Sequence, residues 1–226
     1  MILEARSEIA ERVRREGYAL LRRFEPELSS AEALGRIGRM DVVEGIRPVQ
    51  RLTPHAVDES TPNTYSGNFG KSAFPLHTDL AHWAIPPRYL ALRCIQGCDA
   101  VATRLLDGND VIARFGRSIL RRTLTQPRRP QGDRIQLLPL LGGATDVNSA
   151  ILRWDSIFLQ PSNSFSMLVF AEVSGYLSGV APMEFTLADL GDTLVVDNWR
   201  FLHGRSDVSQ GGHLRKIDRA YLEAIR

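Results

Sequence analysis

Phe74-Pro75-Leu76-His77-Thr78-Asp79-Leu80 is a strand-like run that carries an imidazole and a carboxylate two residues apart. A strand repeats its side-chain direction every second residue, so His77 and Asp79 are expected on one face. Farther along, Asp197-Asn198-Trp199-Arg200-Phe201-Leu202-His203-Gly204-Arg205 supplies a second imidazole. Leu194-Val195-Val196 is apolar enough for a central strand, and Asp197-Asn198 would turn the chain into the next one. Two imidazoles and one carboxylate suit a non-haem Fe(II) site, because three protein ligands on one face leave coordination positions open. A bare H-x-D also reads as a hydrogen-bonded His-Asp pair on a surface strand. The distal His203 and the arginines beyond it shift the balance towards metal ligands. Phe74-Pro75-Leu76 and Leu80 would give the metal a dry, rigid surround, and Gly204 is expected to leave room beside it.

Around this constellation the chain reads as one domain. Its 226 residues suffice for a substantial core. Apolar residues make up 43% and charged residues 24%, the balance of a globular chain rather than a disordered one. A net charge of +2, with Arg scattered along the sequence, argues against a nucleic-acid partner. Met1-Ile2-Leu3-Glu4-Ala5-Arg6 lacks the apolar stretch of a signal peptide. No segment approaches the roughly 20 apolar residues that span a bilayer, so no membrane partner is expected. Cys94 and Cys98 read as reduced, core-type thiols of a cytoplasmic protein rather than as a zinc site. A homo-oligomer is compatible with the sequence, which does not fix the oligomeric state.

Residues 6–16 predict an amphipathic helix stopped by Gly17, followed by a strand at Tyr18-Ala19-Leu20-Leu21. Ser29 or Ser30 caps a second helix with Ala31, Leu34 and Ile37 on its buried side. A strand is expected at 47–53, then a polar loop over 54–73 that shapes a pocket. Further strands are expected at 74–80, 88–95 and 101–106, a helix at 109–124 ended by Gln126-Pro127, and strands at 134–140 and 150–159 with a turn at Gly142-Gly143. Asn163 caps a helix over about 164–178. The last third returns to strands at 183–187, 193–198, 200–205 and 214–223. Short strands dominate, helices flank them, and no βαβ alternation appears. The fold class is therefore mainly β with flanking α-helices: a double-sheet jelly roll, the cupin-like double-stranded β-helix. Residues 1–45 would support a jelly-roll core over 46–226.

Arg215 and Arg219 are four apart, so on a strand both guanidinium groups share a face and can look into the barrel mouth. A guanidinium fork matches a carboxylate with two parallel bonds. The alternative is a pair of surface arginines, with Arg219 paired internally to Asp155. Tyr65 and Asn68 either line a substrate pocket or form turns in a polar loop. Arg153 and Asp155 flank Trp154 and would share a face, as an internal salt bridge or as contacts for a zwitterionic substrate. His82, five residues past His77, is expected on the opposite face, and His55 and His213 in loops.

Together, His77-Thr78-Asp79, Pro86-Pro87, the run Gly191 to Arg205 and Arg215-Lys216-Ile217-Asp218-Arg219-Ala220-Tyr221 resemble the taurine dioxygenase and clavaminate synthase superfamily of Fe(II)/2-oxoglutarate oxygenases. The resemblance runs from about residue 15 to the end. It implies that His77, Asp79 and His203 bind Fe(II), and that Arg215 holds the distal carboxylate of 2-oxoglutarate. It implies an assisting Thr some two dozen residues after the first His. Thr103 stands near that place, although Gly97-Cys98-Asp99-Ala100 departs from the usual Gly-Gly-x-Thr frame, and a core strand Thr is the alternative. It further implies dioxygen as a cosubstrate, a small-molecule substrate that is amino-acid-like or anionic, and a basic residue such as Arg219 on an anionic substrate group. Hydroxylation of an unactivated C–H bond is the default outcome, with desaturation or ring closure open. Halogenation is disfavoured, because Asp79 fills the position a halide would need. Two other classes stay open: a zinc or manganese jelly-roll enzyme with no need of a 2-oxo acid, and a catalytically silent binding domain.

Overall fold

In the computed structural model, which describes residues 2–129, 136–143, 150–208 and 212–226, the chain opens with helix α1 (Ile2–Glu16). Gly17 ends it at φ 83°, a backbone region that favours glycine. A Cβ there would also lie 2.3 Å from the Phe201 ring. Strand β1 (Tyr18–Leu21) follows, then α2 (Ser30–Ile37). Ser29 caps α2 in a capping box with Glu32. Its buried face is Ala33, Leu34 and Ile37; Ala31, expected there, is exposed. Next come β2 (Gly38–Met40), β3 (Gln50–Leu52), a short helix α3 (Tyr65–Phe69) inside the expected loop, β4 (Phe74–His77), β5 (Tyr89–Gln96) and β6 (Ala102–Asp107).

The helix expected over 109–124 is two, α4 (Gly108–Phe115) and α5 (Arg117–Arg122), broken at Gly116 with φ 83°. Four short strands follow: β7 (Leu124–Pro127), β8 (Leu138–Pro139), β9 (Leu141–Gly143) and β10 (Ala150–Leu152). Residues 134 and 135 of the expected strand at 134–140 lie outside the described residues. Gly142 and Gly143 pair with Ile151 and Ala150 and so form part of a strand rather than the expected turn. The strand expected over 150–159 is likewise divided, into β10 and β11 (Leu159–Pro161). Helix α6 (Ser164–Gly179) starts at the Asn163 cap, and β12 (Met183–Thr186), β13 (Thr193–Asp197), β14 (Phe201–Arg205) and β15 (Lys216–Ile225) complete the chain.

Two sheets carry the architecture. One runs β1-β13-β5-β15-β2, with β3 also pairing β15; the other runs β12-β6-β14-β4. Their facing sides share a core in which Leu90, Leu92, Cys94, Leu194, Val196, Ile217 and Tyr221 meet Leu105 and Phe201. The other side of the larger sheet presents Ala91, Val195, Ala220 and Leu222 to Ile9 and Val13 of α1 and Leu34 and Ile37 of α2. Both faces of its central strands are thus covered, which is why β5 and β13 read as nearly continuous apolar runs. Among the described residues, no helix is long and apolar enough to cross a membrane.

Candidate metal centre and adjoining cavity

Strand β14 lies between β6 and β4, and His203 is the direct cross-strand partner of His77. Their rings sit 4.3 Å apart between centroids. Strand β4 ends at His77, so Asp79 is not on a strand as the H-x-D spacing predicts. Its placement comes from Thr78, whose N–H donates to the Trp154 carbonyl at 2.8 Å and whose hydroxyl donates to that of Leu152 at 3.0 Å. The three side chains come together all the same. Oδ1 of Asp79 lies 3.5 Å from Nε2 of His77 and 3.9 Å from Nε2 of His203. All three residues are buried, with ligand atoms within 4.8 Å of one another. At Gly204 a Cβ would lie 2.7 Å from the Phe74 carbonyl oxygen, so the glycine permits close approach of β4.

The protonation states suit a metal. Nδ1 of His77 lies 2.9 Å from the Pro75 carbonyl, a contact that places a proton on Nδ1 and turns Nε2 towards the other two residues. Burial and the nearby His77 push His203 down to about 3, so its imidazole is neutral. Burial alone would raise the Asp79 pKa, but the Arg219 charge and the histidines outweigh it and hold the carboxyl well below the usual range.

Asp79 is held from three sides. Nη1 of Arg219 lies 3.1 Å from Oδ2, and the Tyr221 hydroxyl donates to the same oxygen at 3.0 Å. The fully buried Asn198 accepts from the Asp79 N–H at 2.9 Å and donates to the carbonyls of Asp79 and Pro87 at 3.1 and 2.9 Å. Leu80, the next residue, has φ 54°, a conformation that costs a side-chain-bearing residue about 1 kcal/mol. The Asn198 clamp offsets that cost. Asn198 and Tyr221 escaped the sequence reading as site residues, although both lie inside the quoted motifs. Arg200 of the same motif is structural, with its guanidinium gripping both oxygens of Asp107 at the end of β6.

A cavity of about 950 Å³ opens on these residues, bounded in part by the expected pocket loop. At one end, Nη2 of the buried Arg215 donates to the Thr103 hydroxyl at 3.4 Å, and its Nε has no partner. Burial lowers its pKa to about 10, still a cation at neutral pH. Among the described residues no carboxylate pairs with it. Arg205 beside it is spent, donating to the Gly70 and Ser72 carbonyls and stacking on Phe74 with its guanidinium carbon 3.7 Å from the ring centroid. Arg219 lines the cavity too, but neither free nor on Asp155. It bridges Asp79 and the Gln50 side chain, its partner across β15 and β3.

Tyr65, Asn68 and Asp155 also line the cavity. The Tyr65 ring stacks on His77 at 4.0 Å, whereas the exposed Asn68 amide donates to the Thr64 carbonyl. Arg153 and Asp155 do not pair. The chain leaves strand geometry after Leu152, and the Arg153 guanidinium turns into the protein to donate to the carbonyls of Ala81, Trp83 and Ala84. It does not line the cavity. His82, expected to face away, does line it, because a turn after Asp79 replaces the continuing strand. His55 lies at the cavity in an exposed loop, and His213 is exposed in a short turn.

No protein-family model and no curated protein matches the chain. Solved structures do. Asparagine oxygenase in complex with Fe(II), 2S,3S-3-hydroxyasparagine and succinate superposes with a TM-score of 0.72 at 18% identity, covering 97% of this chain and 79% of that one. PvcB from Pseudomonas aeruginosa gives 0.68 at 17%, with 97% and 80% covered. The non-heme iron oxygenase OrfP with Fe and alpha-ketoglutaric acid gives 0.68 at 17%, with 97% and 79% covered. The chain therefore has the fold of these iron oxygenases.

Proposed function

We propose that the chain is an Fe(II)- and 2-oxoglutarate-dependent oxygenase that oxidises a C–H bond of a small molecule, with hydroxylation the default outcome. The observation that carries this reading is the coincidence, in one cavity, of the His77–Asp79–His203 cluster with a buried arginine, Arg215, that has no carboxylate partner among the described residues. A zinc or manganese hydrolase would have no use for that arginine. The residues fit the metal: two imidazoles, that of His203 held neutral, and one ionised carboxylate, with its second oxygen tied to Arg219 and Tyr221. Bound iron would supply oxygen activation coupled to decarboxylation of 2-oxoglutarate to succinate and carbon dioxide.

The protein's share is binding and orientation. His77, Asp79 and His203 hold the metal. Arg215, oriented by Thr103, receives the distal carboxylate of 2-oxoglutarate through charge-assisted bonds. Tyr65 and Asp155 face the substrate. The two sheets are read as the two halves of a jelly roll in one domain over 1–226, and the free Cys94 and Cys98 fit the cytoplasm. Support for the cosubstrate comes from similar folds crystallised with alpha-ketoglutaric acid or succinate. The test is succinate release from 2-oxoglutarate under air. It should require added Fe(II) and disappear in Asp79→Ala; metal-independent release, or release undiminished in that variant, would refute the reading.

A further inference from the structure

Asp155 is a buried carboxylate, 2% exposed, on the wall of the cavity. Its Oδ1 accepts the N–H groups of Ile157 at 2.7 Å and Phe158 at 2.8 Å, which fixes the side chain. Among the described residues no cation pairs with the group, and the side chain that reaches it is the Tyr65 hydroxyl. Arg153, two residues away, has spent its guanidinium on three backbone carbonyls. Arg219 is on Asp79, and Arg205 on Gly70 and Ser72. Burial raises the Asp155 pKa, the mark of a carboxylate taken from water without a cation, and that cost is relieved when a cation arrives.

The surroundings suit a cation as well. The rings of Tyr65 and Phe158 meet edge to face at 5.6 Å beside Asp155, and aromatic faces attract ammonium and guanidinium groups. The buried Tyr65 hydroxyl lies against the Asp155 carboxylate. Nδ1 of His82, on the same wall, has no hydrogen-bond partner among the described residues. Tyr65 stacks on His77, so this end of the cavity adjoins the metal cluster.

We infer that Asp155, between Tyr65 and Phe158, is the subsite for a positively charged group of the substrate, an ammonium or a guanidinium. The inference rests on the oxygenase reading only for the word substrate. It concerns a cationic group of the substrate and is independent of the anionic group expected at Arg219, which contacts Asp79 and Gln50. Among the described residues the cavity then holds two ionisable groups without an ionic partner, Arg215 for the cosubstrate carboxylate and Asp155 for the substrate cation.

The test uses probe pairs that differ only in terminal charge: γ-guanidinobutyrate against γ-ureidobutyrate, and ε-aminocaproate against ε-hydroxycaproate. Binding is measured by calorimetry on the chain loaded anaerobically with Fe(II) and 2-oxoglutarate, and on the unloaded chain. At least one cationic probe should bind about tenfold or more tighter than its neutral partner, the low end for a close buried charge pair. The pair that discriminates tells guanidinium from ammonium. Asp155→Asn keeps both Oδ1 bonds and should abolish the preference. Equal binding of both members of each pair, a preference that survives Asp155→Asn, or no binding of either cation at millimolar concentration would overturn the subsite. Failure of the chain to load with iron and 2-oxoglutarate would count against the oxygenase reading instead, and titration of the unloaded chain would still decide the subsite.

Discussion

The guanidinium of Arg219 lies 3.1 Å from the carboxylate of Asp79, although 140 residues separate them in sequence. The contact joins the larger sheet, through β15, to the end of β4 in the smaller one. Arg219 Nη1 reaches both oxygens, at 3.1 Å to Oδ2 and 3.3 Å to Oδ1; Tyr221 also holds Oδ2, while Oδ1 faces the two imidazoles. A positive charge supplied from within the protein thus stands in part for the charge a metal would bring.

Arg219→Gln removes that charge and leaves Asp79 buried without its cation. Breaking such a pair from one side costs about 3 kcal/mol, so the melting temperature of the metal-free chain should fall by several degrees. Divalent metal should then stabilise the variant more than the wild type. Equal metal-induced shifts in thermal melting would show that Arg219 does not bear on the Asp79 charge.

Arg215→Leu should weaken 2-oxoglutarate and spare the metal. Truncating one partner of a buried, hydrogen-bonded charge pair costs about 2–5 kcal/mol. The apparent affinity for 2-oxoglutarate should therefore drop well over tenfold, with Fe(II) affinity retained in an anaerobic titration. An unchanged concentration dependence would remove Arg215 from the cosubstrate site.

Asn198→Ala leaves the Asp79 N–H and the Asp79 and Pro87 carbonyls without their buried partner. Each such loss costs about 1–3 kcal/mol. Thermal stability should fall, and metal affinity with it, because the peptide carrying the ligand is released. Wild-type metal affinity in a folded Asn198→Ala chain would show that the clamp does not position Asp79.

The pH dependence of the metal-free chain has a definite sign at His203. Its pKa falls from 6.5 to about 3 on folding, so between those values the unfolded chain binds the proton and the folded chain does not. Stability is therefore full above pH 6.5 and is lost as pH drops towards 3, by at most about 1.4 kcal/mol per pH unit. His203→Gln should flatten that segment of a denaturation-versus-pH series. An unaltered slope would mean that the imidazole is not held neutral by its surroundings.

Much of the site was legible because it is written in short-range pattern. The H-x-D spacing, the Asp-Asn turn and the four-residue spacing of Arg215 and Arg219 single out His77, Asp79, His203, Arg215 and Arg219, although Asp79 lies just past β4 and Arg215 just before β15. What escaped was pairing between distant segments. Nothing near Arg219 shows that its partner is Asp79 rather than Asp155. Arg153 looks like a strand residue, yet three carbonyls from another loop claim its guanidinium. His82 was misplaced because the strand was carried past His77, where the Thr78 bonds to Leu152 and Trp154 bend the chain instead. Gly116 split a helix that apolar periodicity alone left whole.

The most direct test of the central claim is an anaerobic titration of the chain with Fe(II) and 2-oxoglutarate, followed by visible absorption. A weak charge-transfer band is expected when both are present, saturating with 2-oxoglutarate, absent with either alone and absent in Asp79→Ala. A featureless spectrum at saturating iron and 2-oxoglutarate, from a chain shown to be folded, would contradict the account.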